Sequence, residues 1–379
     1  MAEMFKDNLG EKAIRHISNA IKHHHSVFDD SGFVEFCLYD LDNLSLMQRN
    51  RKIAEGLVEF LPADFSKACD IIVSSLAPHP KTRKESDQPF LMIAGNGVTS
   101  WQSLPLAEFV GRYGTQNLDT ALNALTQITP HFSAEFAIRY LILADEKYVL
   151  KTLIQWCDHH DYHVRRLASE GSRPRLPWGF QLTSFISEPT KTMPILERLR
   201  DDESDYVRLS VANHLNDIAK DHPDRLQKSL QSWCDEKNSQ RMKIVRHACR
   251  TLIKKGHQPT LKMLGYQPID VTNVNLKIEN TKIKYGDSLV FSCSFKGNKQ
   301  QPVIVDYAIH FQKASGKLSA KVFKWKTTQL TGSGDFNATK VHKIKPITTR
   351  RYYNGKHLLE VLVNGKSIAQ MPFHLHGVD

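Results

Sequence analysis

Up to about residue 265 the apolar residues recur at spacings of three and four with breakers between the runs, which predicts a succession of amphipathic helices. Arg51 to Phe60 (RKIAEGLVEF, stopped by Leu61-Pro62) and Lys147 to Cys157 are clear cases. Three later helices share a pattern: Val164-Arg165-Arg166-Leu167-Ala168, Val207-Arg208-Leu209-Ser210-Val211 and Val245-Arg246-His247-Ala248-Cys249, spaced by 43 and 38 residues. That is close to the roughly 40 to 47 residue period of HEAT or armadillo arrays, in which helical hairpins bury their apolar stripes on their neighbours. An all-α HEAT-like repeat solenoid is therefore expected over residues 1–267.

After Pro268 the period changes from 3.6 to 2. Val274 to Ile278, Leu289 to Phe295, Val303 to Phe311 and Leu358 to Val363 read as strands, with Asn354-Gly355 and Asn364-Gly365 as hairpin turns. About seven short strands over residues 268–379 predict an all-β immunoglobulin-like sandwich, with Tyr353 a candidate for the tyrosine corner. Cys293 has no partner cysteine in that stretch, so the sandwich lacks the inter-sheet disulfide.

Charge sharpens this division. The formal net charge of the 379 residues is +11, and from Val271 onward there are 17 Lys and Arg against 6 Asp and Glu. The whole excess lies in the last 109 residues, which suggests that this part meets a polyanion. Lysines that keep a sheet soluble and block its edges are the plainer explanation. No apolar run approaches the roughly 20 residues that cross a bilayer, and the charged N-terminus does not resemble a secretory signal, so a cytoplasmic protein is expected. The six cysteines are scattered without a C-x-x-C pair, which argues against a disulfide framework and a zinc cage. Lys22-His23-His24-His25 is read as a solvated helix end, because consecutive histidines on a helix point in different directions. No metal or cofactor is expected.

At 100° per residue from each repeat's valine, Glu170, Asn213 and Thr251 fall near 240°, Asp217 and Lys255 near 280°, and Arg166 near 200°, opposite the apolar stripe. They predict one polar wall along successive helices, although any single charged residue there is more simply a solvated one. Glu170 lies just before Gly171, where an anion opposes the helix dipole, so another group must hold it. The loop that follows, Ser172-Arg173-Pro174-Arg175-Leu176-Pro177-Trp178, carries two arginines suited to phosphates and an indole suited to a cation or a base face. A plug between helical hairpins, with the arginines on helix carbonyls, is the structural alternative.

His163 to Trp178, HVRRLASEGSRPRLPW, resembles the hallmark stretch of the AlkC family of DNA glycosylases, relatives of AlkD built from HEAT-like repeats. Arg51 to Leu57, Ser133 to Arg139 and Val207 to Asp217 are similar to that family as well, and the basic sandwich resembles the immunoglobulin-like domain of its longer branch. The resemblance implies monofunctional excision of cationic alkylated bases, chiefly 3-methyladenine and 3-methylcytosine, from duplex DNA, without drawing the base into a pocket. It places Glu135, Glu170, Asp217 and Trp178 on the active-site positions, with Arg166 beside them. Glu135 is expected to face the lesion, Asp217 to position water or stabilise the cation, and Trp178 to pack on sugar or base. Glu135 also has a plainer reading, a helix-dipole residue after an N-cap at Ser133, and Asp217 a simple pair with Lys220. Arg166, Arg173, Arg175, Arg246 and Arg250 are the expected DNA contacts of a chain expected to be a monomer. The rival from another class is a non-catalytic scaffold that binds damaged DNA or a protein partner, but acids in such a groove would repel phosphate.

Overall fold

Short polar side chains start the helices where the apolar runs begin. In the computed structural model, which describes residues 5–78, 97–234, 238–298, 300–347 and 350–378, Asp29 accepts from the Gly32 amide, Asp64 from Lys67, Asp145 from Tyr148 and Asp161 from His163. Ser45 and Gln48 form a reciprocal capping box. The helix read from Arg51 therefore begins earlier, at Leu46, and the one read from Lys147 begins at Glu146.

The chain divides into two compact units, Met1–Ile218 and Ala219–Asp379. The first holds α1 (Glu11–His24), α2 (Asp30–Leu38), α3 (Leu46–Phe60), α4 (Phe65–Ser74), α5 (Leu104–Tyr113), α6 (Leu118–Ile128), α7 (Ile138–Ala144), α8 (Glu146–Trp156), α9 (Tyr162–Gly171), α10 (Thr183–Ser187), α11 (Met193–Leu199) and most of α12 (Asp205–Asp221). Neighbours pack in pairs, α7 on α8, α8 on α9 and α9 on α11. Val164 and Val207, the residues that set the repeat, are both fully buried. A Cβ on Gly171 would come within 2.3 Å of Ile138 Cγ2, so only glycine lets the end of α9 approach α7 this closely.

The second unit begins with α13 (Pro223–Gln231), α14 (Ser239–Ala248), α15 (Arg250–Lys254) and α16 (Gln258–Met263). The change of period near residue 268 marks where helix gives way to strand. The division between the compact units falls earlier, because these short helices stay with the sandwich: Gln258 donates to the Asn364 carbonyl and Asn364 to that of Gln267.

Among the described residues eight strands follow, β1 (Val271–Ile278), β2 (Lys282–Lys284), β3 (Ser288–Gly297), β4 (Pro302–Gln312), β5 (Leu318–Gln329), β6 (Asp335–Lys343), β7 (Gly355–Val363) and β8 (Lys366–His376). They form a three-stranded sheet ordered β1-β3-β6 and a five-stranded sheet ordered β2-β8-β7-β4-β5. Alternate residues of β3 and β7 fill the space between the sheets, among them Phe291, Phe295, Leu359 and Val361. Cys293 sits there as a buried free thiol.

Asn364 and Gly365 both have positive φ, 46° and 77°, and turn β7 into β8 as the sequence predicts. Asn354-Gly355 does not make a hairpin; Asn354 instead exchanges hydrogen bonds with the backbone of Val378. The tyrosine buried at that corner is Tyr352, while Tyr353 is half-exposed.

Candidate active site

In the first unit one charged chain runs from α9 to its neighbours. Arg166 on α9 pairs with Glu135 and donates to Ser133 Oγ, and its other terminal nitrogen lies 3.4 Å from Glu170 Oε1. Glu170 in turn accepts from Arg173 Nη1 at 2.6 Å and from Ser210 Oγ on α12 at 2.6 Å. Arg173 Nε donates to Asp217 Oδ2 at 2.8 Å. Acid and base thus alternate from Glu135 to Asp217.

This answers the electrostatic problem at the end of α9. Burial alone would raise the Glu170 carboxyl, but Arg166, Arg173 and the Ser210 hydroxyl outweigh it and hold it below the usual carboxylate range. Burial likewise opposes the charge on Arg166 and Arg173, and their carboxylate partners more than reverse it in both. The three expected acids are therefore joined in one largely buried network, and none of them is the simply solvated residue of the plainer reading. Of the other members of that wall, Asn213 stands half-buried on α12, and Thr251 and Lys255 belong to the second unit.

The residue that organises the loop was not singled out by sequence reasoning. Arg139 on α7 is wholly buried, and its guanidinium donates to the carbonyls of Gly171 (2.9 Å), Arg173 (2.7 Å) and Phe180. Burial pulls its pKa down to about 10. Leu176 is buried beneath the loop, and the amide of Leu182 returns to the Pro174 carbonyl at 3.1 Å. So fixed, the chain holds Trp178 at φ 66°, a left-handed conformation that is strained for a bulky side chain. The indole is 66% exposed. An exposed indole on a strained, tightly tethered backbone is presented, not packed away, which sets aside the plug.

Trp178 forms one wall of a cleft of about 460 Å³, with Phe5, Met47, Trp101, Phe132, Phe136 and Tyr206 as the apolar and aromatic lining and Glu135, Arg166 and Glu170 as its charged part. Glu135 lies in a turn ahead of α7, so Ser133 is no helix cap; its hydroxyl donates to Glu135 Oε2 at 2.9 Å. Asp217 is wholly buried and lies behind Arg173, not on the cleft surface. Arg173 is also buried and is engaged by two carboxylates, which corrects the expectation that it reaches a phosphate. Arg175 is half-buried. Arg246 on α14 is exposed, and Arg250 on α15 is half-buried with Nη1 donating to the His247 carbonyl at 3.0 Å; both lie in the second unit.

Behind the network His214 on α12 lies between the Ser169 carbonyl (3.0 Å from Nδ1) and the Thr192 hydroxyl (3.1 Å from Nε2). Burial pushes its pKa down to about 4, so the ring is neutral, donating from Nδ1 and accepting at Nε2.

A helical unit whose cleft sets carboxylates and guanidinium groups beside an exposed tryptophan, followed along the chain by a basic immunoglobulin-like sandwich, defines a distinct two-part class. Residues 272–377 match the family model described as "Uncharacterised protein YhaZ, C-terminal Ig-like domain". The Uncharacterized protein YhaZ of Bacillus subtilis (strain 168) is 34% identical over 377 residues, 99% of each chain. The alkylpurine DNA glycosylase AlkC of Pseudomonas fluorescens, solved bound to DNA containing an abasic site analog, is similar with a TM-score of 0.86 and 33% identity, over 98% of this chain and 99% of that one. The chain belongs to the AlkC/YhaZ family.

Proposed function

We propose that this protein is a monofunctional DNA glycosylase that removes cationic N-alkylated bases, 3-methyladenine and 3-methylcytosine foremost, from duplex DNA and leaves an abasic site. The observation that carries this reading is the pairing of Glu135 and Glu170 with an exposed Trp178 in one cleft. A groove made only to bind DNA gains nothing from acids at its surface.

The chemistry asks for little more. An alkylated base bears a positive charge, so when its bond to C1′ breaks both bonding electrons pass to the base and neutralise it, leaving an oxocarbenium-like sugar. Water adds to C1′ and gives up a proton, which the Glu135 carboxylate in the cleft accepts; the proton then passes to solvent. Glu135 and Glu170 stabilise the cation, and the Trp178 face adds about 0.5 to 2 kcal/mol next to a cationic ring or sugar. Asp217 acts through Arg173, whose guanidinium it orients on Glu170. A leaving group that is already charged requires neither metal nor cofactor. Residues 1–267 carry the chemistry, and the basic sandwich of residues 268–379, with Arg175, Arg246 and Arg250, holds phosphates in a cytoplasmic monomer.

Incubation with methylated duplex DNA tests the reading. Free alkylated base should be released while the strand stays intact until alkali cuts it at the abasic site. Release of no alkylated base would overturn the proposal in favour of a DNA-binding scaffold.

A further inference from the structure

The two acids of the cleft are held in different ways. Both oxygens of Glu170 are engaged: Oε1 accepts from Arg173 Nη1 at 2.6 Å and faces Arg166 at 3.4 Å, and Oε2 accepts from Ser210 Oγ at 2.6 Å. Such a carboxylate acts by its charge. On Glu135 the donors converge on one oxygen. Arg166 Nη1 and the Ser133 hydroxyl both reach Oε2, and among the described residues no donor reaches Oε1.

The direction of these bonds is fixed by the groups themselves. A guanidinium only donates and a carboxylate only accepts, so the Ser133 hydroxyl accepts from Arg166 Nη1 and gives its own hydrogen to Glu135 Oε2, at 2.9 Å. The backbone keeps the two side chains together. Ala134 between them is buried, its amide donates to Thr129 Oγ1 at 3.3 Å, its carbonyl accepts from the Ile138 amide at 3.2 Å, and Ser133 and Glu135 both line the cleft. Left to themselves, a guanidinium and a carboxylate pair through two parallel bonds that use both oxygens. Ser133 supplies the second donor instead, and does so on the oxygen that Arg166 already holds.

We infer that Ser133 is a positioning residue for excision: it confines Arg166 to Oε2 of Glu135 and so keeps Oε1 open in the cleft as the atom that takes the proton of the attacking water. As a lone pair of the water oxygen forms the bond to C1′, one O–H bond breaks, its electrons stay on that oxygen and the proton passes to Oε1. Glu170, with both oxygens engaged, serves the sugar cation by charge alone. Without the hydroxyl, Arg166 closes on both oxygens of Glu135 and the acceptor is lost, while the charges of the cleft, and with them its effect on DNA binding, stay the same. The inference rests on the glycosylase reading above.

The test is a double-mutant cycle on the full chain, read as single-turnover release of alkylated base from methylated duplex with the protein in excess. Ser133→Ala should slow excision by about tenfold while duplex affinity stays within about twofold of wild type. In Glu135→Gln the proton acceptor is already gone, so adding Ser133→Ala to it should change the rate by less than about twofold, whereas a serine that only supported the fold would multiply its loss onto that of Glu135. Should Ser133→Ala fail to fold, Ser133→Thr and Ser133→Val, alike in shape, differ in the hydroxyl: Thr should keep the wild-type rate within about threefold and Val should lose about tenfold. Excision by Ser133→Ala at the wild-type rate, losses that multiply across the cycle, or equal rates for Thr and Val overturn the inference. If the wild-type chain releases no alkylated base from the same duplex, it is the glycosylase reading that fails.

Discussion

The two parts of the molecule treat positive charge in opposite ways. In the first unit Arg139 and Arg173 are buried, Arg166 is half-buried, and all three are engaged by carboxylates or backbone carbonyls. In the sandwich Lys321, Lys324 and Lys326 stand along β5, at the edge of the five-stranded sheet, and all three are exposed. Buried, paired charge fixes geometry, because each guanidinium has a set place and removing one partner strands the other. Exposed, unbalanced charge fixes little and attracts polyanions at long range. One region is built to position atoms; the other, on the proposed function, holds a charged chain.

The largest expected effect tests the first half of that contrast. Glu170→Gln removes a shared partner of Arg166 and Arg173 and should cost about 3–5 kcal/mol, read from denaturant midpoints. Lys326→Ala on the sandwich should stay within about 0.5 kcal/mol. Comparable losses at the two sites would erase the distinction.

Acid offers a second test. Because the folded pKa of His214 is lowered to about 4, the unfolded chain binds a proton below about pH 6.5 that the folded chain refuses. The stability is present above that unfolded value and is lost as pH falls through the folded one, roughly 3 kcal/mol in all. Glu170, held low, adds a loss of the same sign further down. His214→Gln should flatten the curve between about pH 6.5 and pH 4. His342 in the sandwich is also lowered to about 4, by burial first and then by Arg350, Lys340 and Lys321. Salt should weaken the part of its effect that comes from those charges more than it weakens that of His214.

A smaller effect is expected on the sandwich itself. Replacing Lys321, Lys324 and Lys326 together by Ala should lower the salt dependence of DNA binding by up to about three units of slope, one for each phosphate that a lysine had neutralised. Excision from the saturated complex should hold. Smallest in stability is Trp178→Ala, within about 0.5 kcal/mol because the indole is exposed, with excision slowed by roughly 2-fold to 30-fold. A large fall in melting temperature with normal excision would show the indole to be packing after all.

Much of this was legible in the chain. The change of period near Pro268, the Asn364-Gly365 hairpin and the placing of charge at the C-terminus are local properties of the sequence. Glu170 announced itself by opposing its own helix dipole. What was not legible depends on partners distant in sequence. Arg139 stands within Ile138–Ala144, an otherwise largely apolar helix, and nothing local says that its guanidinium turns to carbonyls 32, 34 and 41 residues away. Arg173 in a proline-stiffened loop looked like an exposed cation, and its partner Asp217 stands 44 residues further on. The aromatic lining of the cleft comes from Phe5, Trp101, Phe132, Phe136 and Tyr206, which share no spacing. A helical projection orders residues around one axis and cannot say which side a neighbouring helix will cover.

The central claim, that the carboxylates of the helical cleft serve the chemistry and not the grip, is tested most directly at Glu135. Single-turnover excision and duplex affinity are measured on the same preparation of Glu135→Gln. The account predicts that excision falls by at least tenfold, about 1.4 kcal/mol, while affinity for DNA holds or tightens because a charge that repels phosphate has been removed. Excision at the wild-type rate, or weakened binding with unchanged chemistry in the bound complex, would contradict it.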